Sequence, residues 1–132
     1  MSALQRIKAV LLENIAAGNT PSFVEDDYGD EVIRNCRYND RQDKEDFIGL
    51  LLPSYELTPL IEGMLAWDLI PRSPLLMDAE RELEDVSTMK AFIYWLQRTH
   101  DEHVQAHGRD RLDLLRTNTE ELFRRQPWYG AA

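Results

Sequence analysis

Residues 87–108 read STMKAFIYWLQRTHDEHVQAHG. Met89, Ile93, Leu96, His100, His103 and His107 recur there at three- and four-residue steps, the spacing that sets side chains on one seam of an α-helix. Ser87 offers an N-cap and Gly108 a stop, which predicts a helix roughly 30 Å long. Its first half, with Met89, Phe92, Ile93, Tyr94, Trp95 and Leu96, is apolar nearly all round. That marks it as the central helix of the fold.

The flanking segments carry the same period. After Gly108, residues 109–125 place Leu112, Leu115, Thr119 and Leu122 at heptad spacing, and the tail beyond them carries Trp128 and Tyr129, both expected to pack back on the domain. Before it, Ser73 and Pro74 form an N-cap and first-turn pair. They start a helix with Leu75, Leu76, Met77, Ala79 and Leu83 inside and Asp78, Glu80, Glu82, Glu84 and Asp85 on a solvated outer row. Thr58 and Pro59 repeat that signal for a helix ending before Pro71. The apolar run 47–52 has Ile48 as its only β-branched residue and follows an acidic turn, so it reads as the buried end of a helix stopped by Pro53. Residues 2–17 form a further helix, capped by Ser2, apolar at Leu4, Ile7, Val10, Leu11 and Ile15, and ended by Gly18.

Between residues 23 and 46 the period is lost. The apolar residues from Val32 to Tyr38 fit a short helix, or an edge strand after a turn at Tyr28, Gly29 and Asp30. The expected architecture is therefore all-α: a compact bundle of six or seven helices in a single domain over residues 1–132, with an irregular acidic segment near residues 23–46.

Composition narrows the function. With 43% hydrophobic and 30% charged residues in 132, the chain has the make-up of a folded domain able to bury a core without metals or disulfides. A net charge of −9 argues against binding a phosphate backbone, so nucleic acid is not an expected partner. No apolar run approaches a membrane span, and the first helix, interrupted by Gln5, Arg6, Lys8, Glu13 and Asn14, reads as amphipathic and not as a signal peptide. The single cysteine, Cys36, has no partner for an internal disulfide and no activating neighbour, which points to a small structural residue and to the cytoplasm. There is no Gly-rich phosphate loop, no Gly-x-Ser-x-Gly elbow, no calcium-loop spacing and no His-Glu-x-x-His. An enzyme is accordingly not the leading expectation.

Two groups of residues remain. Between Glu25 and Asp46 nine acidic residues stand against four basic ones, and Glu25, Asp26, Asp27, Asp30 and Glu31 with Tyr28 and Tyr38 make a candidate surface for a basic protein partner. A non-catalytic protein-binding module of the inhibitor, immunity or adaptor kind is the leading reading. The second group is His100, His103 and His107, at about 0°, 300° and 340° around the helix, a row able to ligate zinc or iron with Glu80 or Glu84 as a further ligand. A subunit of a larger assembly, including a homo-oligomer, is the third reading.

Overall fold

The computed structural model describes residues 1–40 and 44–128. Among these, four α-helices and one β-hairpin carry the architecture: α1 (Ala3–Ala17), β1 (Phe23–Tyr28), β2 (Glu31–Cys36), α2 (Pro74–Leu83), α3 (Val86–His107) and α4 (Leu112–Arg124). Local sequence explains the helix ends. Ser2 and Gln5 cap α1 reciprocally, and Gly18 closes it in the left-handed conformation at φ 75°. Ser73 Oγ accepts from the Leu76 N–H at 3.1 Å and donates to the Leu51 carbonyl at 2.5 Å, so one hydroxyl starts α2 and ties it to the preceding segment. Asp85, two residues before the expected Ser87, caps α3.

Helix α1 packs on α2 and α4, while α3 packs on α2, α4 and β2. The seam of α3 is buried from Met89 through His103, but Tyr94 and Trp95 are about half exposed, beneath the Arg98 guanidinium. Helix α3 is therefore one wall of the core rather than an enclosed axis. Phe92 meets Phe123 and Trp128 edge to face, with ring centroids 5.6 and 5.5 Å away. Trp128 thus packs back on the domain as its sequence position suggested, whereas Tyr129 lies outside the described residues. On the outer row of α2, Glu82 is exposed yet has a structural partner. The Glu82 carboxylate accepts from the Ala3 N–H at 2.7 and 2.9 Å, tying α2 to the positive end of α1.

The all-α bundle of six or seven helices is overturned in two places. Residues 23–36 are not irregular: β1 and β2 pair antiparallel from Phe23↔Cys36 to Tyr28↔Glu31. Gly29, at φ 76°, takes the first position of a two-residue turn, which suits the right-handed strand twist and which a side chain would strain. The carboxylates masked the alternation because this hairpin buries only its base, so its outer positions are free to be acidic. The helices expected around residues 47–52 and 58–70 are instead four short 3-10 turns, Gly49–Leu51, Ser54–Glu56, Pro59–Gly63 and Ala66–Arg72. Pro53, Pro59 and Pro71 each remove a backbone donor, and Gly49 and Gly63 weaken what lies between. Gly49 is also required by space, since a Cβ there would lie 2.2 Å from the Tyr38 carbonyl oxygen.

Replacing Phe92 by alanine should lower the unfolding free energy by about 3–5 kcal/mol, because a fully buried ring is lost from between Phe123 and Trp128. Urea unfolding followed by circular dichroism measures this. Tyr94→Ala, on the exposed side of the same helix, should cost less than about 1 kcal/mol.

Candidate functional site

The hairpin is fixed at its base and free at its tip. From β2, Arg34 Nη1 donates to the carbonyls of Val104 at 2.9 Å and Gln105 at 3.3 Å, placing a cation on the negative end of α3. Gln105 Nε2 donates back to the Arg34 carbonyl at 2.9 Å. Arg109, just past α3, lies 4.4 Å from the Phe23 ring centroid and donates to Asp40 at 2.9 Å. Phe23 is thereby held under two guanidiniums.

Toward the turn the side chains leave the body of the protein. Asp27, Tyr28, Asp30, Glu31 and Val32 are exposed, with Tyr28 at 65% and Val32 at 61%, and Ile33 is 42% exposed. Glu25 pairs with Arg34 at 3.6 Å, and Asp26 accepts from the Asn35 side chain across the ladder. The structure thus gathers Glu25, Asp26, Asp27, Tyr28, Asp30 and Glu31 on one hairpin. It separates Tyr38 from them: that ring is buried, its hydroxyl donates to the Met64 carbonyl at 2.6 Å, and its N–H donates to Glu62 at 2.8 Å. Tyr38 is a core residue, and Val32 and Ile33 take the apolar role at the surface.

The histidine row divides as well. His100 is fully buried, and its Nε2 accepts from the Ser22 N–H at 3.0 Å. A backbone amide can only donate, so Nδ1 carries the ring proton and donates to Asp101 at 2.8 Å. Cys36 completes this group, with ligand atoms of Cys36, His100 and Asp101 all within 4.8 Å of one another. The three residue types suit a metal, but the hydrogen bonding does not. An ion on Nδ1 would move the ring proton to Nε2, against the Ser22 donor, whereas a ligating histidine normally has an acceptor behind it. The Cys36 thiol is pushed well above its usual range by burial, and then by the Asp101 charge and hydrogen bond, which favours the protonated form. We read this cluster as a structural link between β2 and α3.

His103, also buried, is set up the other way. Its Nε2–H donates to the Asp110 carbonyl at 2.7 Å, while its Nδ1 is buried without a partner among the described residues. Burial, followed by the neighbouring histidines, holds its pKa below the ordinary value despite the opposing pull of the Asp110 hydrogen bond, which favours the neutral ring. His107 is half-buried one turn on, its ring centroid 5.2 Å away. Both rings line one end of a groove of about 620 Å³ between α3 and α4, which continues past Thr99 and Asn118 to Trp95 and Pro127. Glu80, on α2, and Glu84, its C-cap, join no cluster with the histidines among the described residues.

No protein-family model, curated protein or solved structure matches the chain. No helix among the described residues is long and apolar enough to cross a membrane.

A buried acid, Asp46, adjoins the Cys36 cluster, and spacing rules do not reveal it because His100 and Asp101 lie more than fifty residues away in sequence. Asp46 Oδ1 accepts from the Gly49 N–H at 2.6 Å, and burial raises its pKa to about 7, partly offset by that hydrogen bond. The folded state therefore holds a proton that the unfolded chain releases near pH 4, so this stabilisation is full below pH 4 and is lost as pH rises through about 7. Wild-type stability should fall relative to Asp46→Asn between pH 5 and pH 8, by an amount on the order of 1–3 kcal/mol. Urea unfolding of both proteins at the two pH values measures the difference, in which the His103 contribution cancels.

Proposed function

We propose that the protein is a non-catalytic protein-binding module, of the inhibitor, immunity or adaptor kind, and that its hairpin docks on a basic protein surface in the cytoplasm. One observation carries the reading. The hairpin tip presents Asp27, Asp30 and Glu31, which have no ion-pair partner among the described residues, beside solvent-facing Tyr28, Val32 and Ile33. Carboxylates steer a cationic partner by long-range field, and the aromatic and branched side chains supply desolvated contact area once it arrives. The base supports the same reading. Because Arg34, Gln105 and Arg109 already hold the shaft against α3, docking costs little ordering entropy. The uncharged Cys36 thiol and the Ser22-locked His100 favour binding over nucleophilic catalysis.

The test begins with a basic protein retained by the immobilised chain from extract of its own cells and then purified. Its association rate with the wild-type chain should fall steeply with added NaCl. Changing Asp27, Asp30 and Glu31 together to lysine should slow association roughly ten- to a hundredfold while the helical circular dichroism is unchanged. An association rate that ignores both salt and the triple substitution overturns the proposal.

A further inference from the structure

We propose that His103 and His107 form a two-histidine site for a divalent transition-metal ion, with zinc as the probe, where the α3–α4 groove meets the end of α3. The site is distinct from the hairpin and independent of its partner. Three observations meet there. The first is the tautomer: Asp110 accepts the Nε2–H of His103, which leaves the Nδ1 lone pair for a ligand and places a backbone acceptor behind the ring, as metal-binding histidines have. The second is that this Nδ1 is buried without a partner among the described residues, in a residue only 4% exposed. An ion would satisfy it. The third is spacing. Two imidazoles on one tetrahedral ion, with Zn–N at about 2.0–2.1 Å, have ring centroids roughly 5 Å apart, and those of His103 and His107 are 5.2 Å apart.

The surroundings set the character of the site. Glu102 and Glu121 also line the groove, but each is paired with nearby arginine, Glu102 with Arg98 on α3 and Glu121 with Arg124 at the end of α4 and its C-cap Arg125. The protein therefore supplies two nitrogen ligands and leaves the remaining positions to water, an open arrangement suited to borderline ions and poor for calcium or magnesium, which want oxygen. His100 takes no part, since its Nε2 is committed to the Ser22 amide.

Untagged full-length protein should take up one zinc ion per chain in a calorimetric titration. His107→Ala, at a half-buried position, should weaken uptake by more than about tenfold. Cys36→Ser should leave it unchanged. With copper in place of zinc, electron paramagnetic resonance should show coupling to two imidazole nitrogens in the wild-type protein and fewer in His107→Ala. No uptake, equal uptake by His107→Ala, or uptake lost in Cys36→Ser, which would assign the ion to the Cys36 cluster, overturns the proposal. Because the hairpin is not involved, failure here leaves the docking proposal untouched.

Discussion

Helix α3 buries one continuous seam whose chemistry changes along its length, and the cost of burying its polar end organises much of the chain. From Met89 to Leu96 the seam is apolar, and any well-shaped neighbour satisfies it. From His100 onward it carries imidazoles and then the carbonyls of a helix terminus, polar groups that need partners once removed from water. The chain supplies them: the Ser22 amide for His100 and the Arg34 guanidinium for the Val104 and Gln105 carbonyls come from far away in sequence, and the Asp110 carbonyl for His103 from the turn that follows the helix. These bonds bring the hairpin to the end of α3 and shape the turn into α4.

A hairpin held this way has two properties in tension. A lone two-stranded sheet is marginal in water, yet here the base is fastened by a buried ring, a guanidinium clasp and a reciprocal amide bond, while the residues of the tip are exposed. Stability is concentrated at one end and chemical freedom at the other. That division lets the outer positions carry carboxylates without penalty to the fold, and it keeps them in a fixed geometry. The groove between α3 and α4 has a different character, since there the Nδ1 of His103 is left without a partner among the described residues.

Legibility in the sequence followed from how local each determinant is. The caps at Ser2 and Ser73, the stops at Gly18 and Gly108, and the α4 stripe at Leu115, Thr119 and Leu122 were readable because a helix end or face depends on residues within a turn or two. The hairpin was only half readable. The turn at Gly29 was visible, but strand alternation depends on burying a face, and beyond Phe23 this hairpin buries little. The 3-10 region was misread because apolar content at Leu60, Ile61 and Leu65 suggested a helix, whereas the prolines and glycines decided the backbone. For the candidate sites, the acidic residues and the histidine row were evident, but Tyr38 could be told from Tyr28 only by its bond to Met64.

By itself the sequence determined the helical stretches at both ends, the acidity, and the common face of the three histidines, because each is set by composition or by a period of a few residues. The tertiary structure alone decided that residues 23–36 stand as a hairpin on α3 and that Glu82 caps α1. It also decided that His100 is locked by a donor while His103 keeps a free lone pair. The reason is physical: the role of a polar atom is fixed by whichever group faces it after burial, and here those groups lie up to 79 residues away along the chain.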